Sequence, residues 1–219
     1  VDFSRSSASC NELGHVNQHG GDVQQLAAQA YLEVTRKSYG GADISLQSGG
    51  GARVPLTVGP LTAAQAIAVL PFGNKLFKLT LTADEVKAML EDGLEAVYGA
   101  GGTTGPYPYT GGLRFAVNAK ATKGQRVSAI EWHNPSSNAW EPLTAARQYQ
   151  LAVLSFNADG GDGYTTLKAV PAARRLDVGV LDSDVFFEYI AAQTKDANGM
   201  PLLRRLPTAL YSTQSYAAP

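Results

Sequence analysis

Helix-like and strand-like patterns succeed one another in this chain without a regular strand–helix–strand rhythm, and that irregular order is what most limits its fold. Residues 75–98 show it best. From Lys75 to Leu81, Leu76, Lys78 and Thr80 alternate with Phe77, Leu79 and Leu81, the period of a strand. Thr82 with Glu85 three residues on is a capping box, and Val86, Met89, Leu90, Leu94 and Val97 then form one helical stripe. Thr62 with Gln65 predicts a second box, opening a short helix that Pro71 ends. Asp22 with Gln25 predicts a third, before a helix from Val23 whose face carries Leu26, Ala27, Ala30, Tyr31 and Val34 and which Gly40-Gly41 stops.

Strand-like runs occupy Asp43 to Gln47, Leu113 to Val117, Val127 to Trp132 and Tyr149 to Phe156. Asn134 to Asn138 has turn chemistry, and residues 99–112 read as a loop. Asp182 or Ser183 caps a helix with Val185, Phe186, Tyr189 and Ile190. Beyond Asn198 the pattern suggests surface chain with one edge strand. The class that accommodates this order is α+β, with layered mixed sheets and flanking helices. No repeat or linker divides residues 21–219, which read as one domain behind a leading segment, 1–20.

Of the 219 residues, 44% are hydrophobic and 17% charged, enough apolar side chains for a core and too few charges for a disordered chain. A net charge of -1 argues against a nucleic-acid footprint, which needs a clustered basic surface. No apolar run approaches the length of a membrane span. The start at Val1, without Met, reads as a piece of a longer protein, so the lack of a signal peptide is silent on location. The single cysteine, Cys10, is either a free thiol or half of a bridge to chain outside this sequence.

Three histidines, His15, His19 and His133, form no metal-ligand spacing, and no Gly-x-Ser-x-Gly elbow is present. No catalytic or metal-binding residue is therefore expected. Three loops carry the chemistry instead. In Ser48-Gly49-Gly50-Gly51-Ala52-Arg53 the glycines permit close backbone approach, with amides free to face an anion, and Arg53 offers a planar fork for phosphate. In Leu70-Pro71-Phe72-Gly73-Asn74, Phe72 supplies a stacking face and Asn74 a donor and an acceptor. In Phe156-Asn157 and Gly160-Gly161-Asp162-Gly163-Tyr164, Phe156 supplies a second stacking face and Asp162 a carboxylate for ribose hydroxyls. Taken singly, each reads first as a surface turn or, for the rings, as core packing.

Taken in order, and with Tyr107-Pro108-Tyr109-Thr110-Gly111-Gly112-Leu113-Arg114-Phe115 between the second and third, they resemble the C-terminal domain of the 5'-nucleotidase family from about Val23 to Ile190. That family includes UDP-sugar hydrolases and 2',3'-cyclic-nucleotide phosphodiesterases. The resemblance implies that Phe72 and Phe156 sandwich a base, Arg53 contacts phosphate, Asp162 holds the ribose and Asn74 lies near the base. Gly50 and Gly51 would line the same site. Ser48 stands where certain members carry an Asn that touches the base. Ala52 is smaller than the usual Ile, and Asn17 to Asp22 replace the usual approach to the first helix. Arg5 becomes a candidate for a further phosphate contact and His19 for an interdomain surface.

The function so implied is recognition of a nucleotide or nucleoside for a secreted, periplasmic or extracellular phosphohydrolase. Its two divalent metal ions would sit in a covalently linked N-terminal metallophosphoesterase domain absent here, leaving this chain inactive alone. Two alternatives stand beside it: a non-catalytic nucleoside-binding module, and the substrate domain of a related thiosulfate-ester hydrolase.

Overall fold

A computed structural model describes residues 19–219. Cys10, Arg5 and His15 lie outside the described residues. In chain order the elements are α1 (Asp22–Ser38), β1 (Ile44–Ser48), α2 (Ala63–Val69), β2 (Lys75–Thr82), α3 (Ala83–Tyr98), β3 (Pro108–Gly111), β4 (Leu113–Asn118), β5 (Val127–Asn134) and β6 (Ala139–Pro142). There follow β7 (Gln148–Leu154), α4 (Ser155–Ala158), α5 (Thr165–Lys168), β8 (Arg175–Leu181), α6 (Asp182–Ala191) and β9 (Thr213–Ala217). One sheet has the order β3-β1-β7-β2-β8 and a second the order β6-β5-β4-β9. Both are mixed, as the α+β expectation requires: β1 and β7 run parallel, as do β4 and β9, and the other pairings are antiparallel.

The five-stranded sheet is covered on both faces. Ser45 and Gln47 face α1, where the Ser45 hydroxyl donates to the Ala28 carbonyl and the Tyr31 hydroxyl donates to Gln47 Oε1 at 2.7 Å. Ile44 and Leu46, on the opposite face of the same strand, join the core shared with α3, β4 and β5. Strand β7 divides likewise, with Leu151 and Val153 in that core and Ala152 and Leu154 in the core under α1 and α6. The α3 stripe read from the sequence is the buried face: Val86, Met89, Leu90 and Leu94 have no exposed surface. Each such side chain contributes roughly 1.5–3 kcal/mol of transfer free energy.

The boxes at Thr62 and Thr82 form as the spacing predicts. The one at Asp22 does not. The residue before α1 is Gly21, and among the described residues no side chain caps the helix. Helix α1 is buried almost all round, so its polar residues are spent on long-range contacts. The Tyr211 hydroxyl donates to Asp22 Oδ1 at 2.5 Å and Arg205 pairs with Oδ2 at 3.0 Å. Gln25 Nε2 donates to the Thr110 and Leu210 carbonyls, while its Oε1 accepts from the Ser212 amide and hydroxyl. The segment leading into β9 is therefore sealed, with Tyr211, Ser212 and Thr213 fully buried, although β9 is an edge strand as expected. Further departures are β3 within the supposed loop 99–112, the unforeseen strands β6 and β8, and the end of β7 at Leu154, which leaves Phe156 in α4. Asp182 opens α6 rather than capping it. No helix among the described residues is long and apolar enough to cross a membrane.

Glu85 does more than close its box. Its oxygens take a two-pronged contact from Arg174, 2.8 Å on each side, and the Thr82 amide donates to Oε2. The hydrogen bonds from Arg174, foremost, hold the Glu85 carboxyl down at about 2. A lowered folded-state value stabilises above the unfolded value and is lost as pH falls through the folded one. Glu85→Gln is therefore expected to lower stability at pH 7 by roughly 0.5–1 kcal/mol. The difference from wild type should close between about pH 4.5 and pH 2 in urea melts across that range.

Candidate ligand-binding site

The five-stranded sheet brings the three sequence-predicted loops to one edge. Strands β1 and β7 are parallel, with Leu46 opposite Val153, so both finish at the same level. The turn Gly49–Gly51 leaves one end and α4 leaves the other. Antiparallel β2 starts at that edge, with Leu76 opposite Leu154, directly after Pro71-Phe72-Gly73-Asn74. The Lys75 amide donates to Ser155 Oγ across the gap. Between these ends lies a cleft of about 320 Å³, lined by Ser48, Gly50, Gly51, Arg53, Phe72, Asn74, Phe156 and Asp162 together with Gln47, Gly105, Leu154 and Asn157. Its size falls at the lower end of the roughly 300–1,000 Å³ typical of small-molecule sites. The eight binding residues expected from the sequence all line this one cleft, whereas of the two further candidates Arg5 lies outside the described residues and His19 lies elsewhere.

Both rings are open. Phe72 is 60% exposed and Phe156 49%, in a molecule whose largest aromatic residues are mostly sealed. Neither is the core side chain that a lone Phe usually is. Gly161 makes room for the second ring: a Cβ at Gly161 would stand 2.5 Å from Phe156 ring carbons. The Arg53 guanidinium lies 5.6 Å from the Phe72 ring centre, and its Nη1 donates to the Gly50 carbonyl at 3.0 Å. No carboxylate among the described residues pairs with Arg53, so its charge is available to an anion.

Asp162 sits at φ 58°, ψ 21°, a left-handed conformation between Gly160 at φ 94° and Gly163 at φ 81°. An L-residue there costs roughly 1–2 kcal/mol relative to glycine. Asn74 Nδ2 lies 3.4 Å from Asp182 Oδ2, and the Asp182 amide donates to the Asn74 carbonyl, so Asn74 is tied to the start of α6. Burial, foremost, raises the carboxyl of Asp182 above its ordinary value. The expected anion cradle of free glycine amides is only partly there. The Gly49 and Gly50 amides donate to the Tyr107 and Gly105 carbonyls, which draws the 105–107 segment against the loop and takes two donors away from a ligand.

Helix α3 positions the third loop from behind. Asp92 accepts from Thr165 Oγ1, the Thr166 amide and Lys123 Nζ; burial alone would raise its carboxyl, but these donors outweigh burial and hold it down. At Gly93 the helix backbone has room for Tyr164, whose hydroxyl would stand 2.6 Å from an added Cβ and donates to the Pro106 carbonyl. His19 bonds through Nδ1 to the Thr213 carbonyl and stacks at an angle on Tyr211, away from the cleft. The described residues contain no group of three or more His, Cys, Asp or Glu arranged to hold a metal ion. Sequence reading passed over Gln47, Gly105 and Asn157. Only Asn157 carried a signal, its place directly after Phe156.

Comparison with known proteins gives a consistent result. Residues 4–169 match the 5'-nucleotidase, C-terminal domain family. The NAD 5'-nucleotidase of Haemophilus influenzae is 30% identical over 152 residues, 68% of this chain and 25% of that protein, so the chain spans about a quarter of this curated relative's length. A 5'-nucleotidase precursor from Thermus thermophilus has a TM-score of 0.73 at 32% identity, covering 86% of this chain and 34% of the other. The solved structure of the Haemophilus influenzae NAD nucleotidase has a TM-score of 0.75 at 25% identity, covering 86% and 33%.

Two substitutions check the local geometry. Gly161→Ala is expected to push the Phe156 ring aside, visible as shifted aromatic NMR signals. Because that ring is half in solvent and free to swing, the stability loss should stay below about 1 kcal/mol, under the usual penalty for overpacking. Asp162→Gly should raise the melting temperature, since roughly 1 kcal/mol of backbone strain is relieved.

Proposed function

The chain belongs to the 5'-nucleotidase C-terminal domain family, and on that footing we propose that its cleft is a nucleoside and nucleotide recognition site. One observation carries this reading: two phenylalanines, 84 positions apart in the sequence, stand exposed on a single cleft that also holds a carboxylate and an arginine not paired with any acid among the described residues. Exposed rings lose contact with water when a flat apolar ligand covers them, and stacking on a base contributes roughly 1–3 kcal/mol per ring. Among ligands with a flat face, a hydroxyl pair and an anion, nucleotides fit the complement. Phe72 and Phe156 take the base, Asp162 accepts from ribose hydroxyls, Arg53 offsets phosphate charge, and Asn74 and Ser48 sit at the base's edge. Gly50 and Gly51 allow the close approach.

Residues 21–219 would then act as the binding domain of a longer phosphohydrolase. Ester cleavage belongs to a linked N-terminal metallophosphoesterase domain with two divalent metal ions, and the present chain holds substrate without hydrolysing it. Its contribution to rate is positioning, which turns attack on phosphorus into an effectively unimolecular step. A periplasmic or extracellular location goes with this reading, supported by the family resemblance.

The test is calorimetric titration of the chain with adenosine and AMP. Phe72→Ala and Phe156→Ala are each expected to weaken adenosine binding roughly 5- to 150-fold, the range that stacking predicts. Unchanged affinity in both would overturn the clamp. AMP should bind more tightly than adenosine, and Arg53→Met should abolish that preference while leaving adenosine affinity unchanged. Added salt should narrow the same gap, because Arg53 is exposed and its charge is screened.

A further inference from the structure

Three carboxamides line the cleft: Gln47, Asn74 and Asn157. Two are committed elsewhere. Gln47 accepts from the Tyr31 hydroxyl and donates to the Ser48 carbonyl, and Asn74 points its nitrogen at Asp182. Asn157 differs from both. It is 1% exposed, and neither its side-chain nitrogen nor its side-chain oxygen has a hydrogen-bond partner. A buried polar group left unpaired is unfavourable, and an amide unpaired at both ends is doubly so. The fold does not impose this: helix α4 satisfies the backbone of Asn157, whose carbonyl accepts from the Gly160 amide, and an apolar side chain would fill the position without an orphaned group.

We infer that Asn157 is the base-reading residue of the cleft, pairing its carboxamide with a base edge that presents an amino group beside a ring-nitrogen acceptor. The inference rests on the nucleoside reading above. An amide is complementary to such an edge because its oxygen accepts from the amine while its nitrogen donates to the ring nitrogen, the pairing by which asparagine reads adenine elsewhere. Asn157 follows Phe156 directly, so it lies at the rim of whatever that ring covers. Its amide atoms are sealed, and contact requires the side chain to turn towards the cleft as the base enters. No hydrogen bond breaks in that turn. The ligand supplies partners that the protein withholds, so the preference is built into the free protein as an unmet need.

The experiment compares adenosine with purine riboside, which lacks the amine, by titrating the whole 219-residue chain. Wild type should favour adenosine by about 10-fold, within the range of a two-point amide contact. Asn157→Leu and Asn157→Ser should both reduce this to less than about 2-fold, with purine riboside affinity little changed and melting temperatures equal to or above wild type. Equal weakening of both nucleosides would overturn the inference, because it would mark a structural role. Retained discrimination in both variants would do the same. So would failure of both to fold, since an amide without partners has no structural bond to lose. If wild type binds neither nucleoside, the nucleoside reading itself falls and this one with it; if wild type binds and Phe72→Ala weakens both nucleosides while the Asn157 variants keep the discrimination, this inference alone falls.

Discussion

The parallel pairing of β1 with β7 is the constraint on which the cleft depends. It places Ser48 and Ser155 at one level of the sheet, and antiparallel β2 on the far side of β7 brings Asn74 to the same edge. The outer strands follow suit: Pro108 of β3 lies opposite Ser48, and Leu181 of β8 opposite Lys75. Five chain segments thus enter or leave the sheet along one line. A slip of one residue between β1 and β7 would put Leu46 and Val153 on opposite faces of the sheet and carry the first loop away from the third. Burial on both faces of these two strands opposes such a slip, so the same apolar contacts that stabilise the core align the ligand-facing side chains.

Behind that edge, α3 acts as a bracket. Glu91 accepts from the Gly124 and Val127 amides, Asp92 from the start of α5, and Glu95 pairs with Arg126. These carboxylates hold the turn between β4 and β5 and the exit of the glycine-rich loop on one rigid helix. Between the anchored ends, residues 156–163 carry an exposed ring, two positive-φ glycines and a strained Asp162.

How much of this was legible in the sequence depended on the kind of information involved. Local pairings were: the boxes at Thr62 and Thr82 need only three residues' spacing, and the α3 stripe only a period. The cleft residues were also legible, because glycine clusters and an aromatic after a helix-ending proline are local signals that gain weight in order. Asp22 and Gln25 show the limit. They have the spacing of a box, yet burial of α1 on all sides commits both to Tyr211, Thr110 and Ser212, up to 189 positions away. The glycine amides taken by Gly105 and Tyr107, and the unpaired ends of Asn157, depend likewise on what comes near in space. Strand β8 escaped notice for a different reason. It lies at a sheet edge, broken by Gly179, and its Leu176 and Leu181 remain exposed.

The contacts of α1 with the segment before β9 bear on how the molecule comes to be folded. Asp22 and Gln25 are among the first described residues, and their partners at 205–212 are among the last. During synthesis α1 emerges before residues 205–212, so its two polar side chains face a space that stays unfilled until those residues follow, while β4 waits with a bare flank for β9. Closure therefore waits for residues 205–217, as one late step that seals α1 against the segment before β9. A nascent chain released short of that point would present an unprotected strand edge to its neighbours, the surface from which sheet-to-sheet aggregation begins.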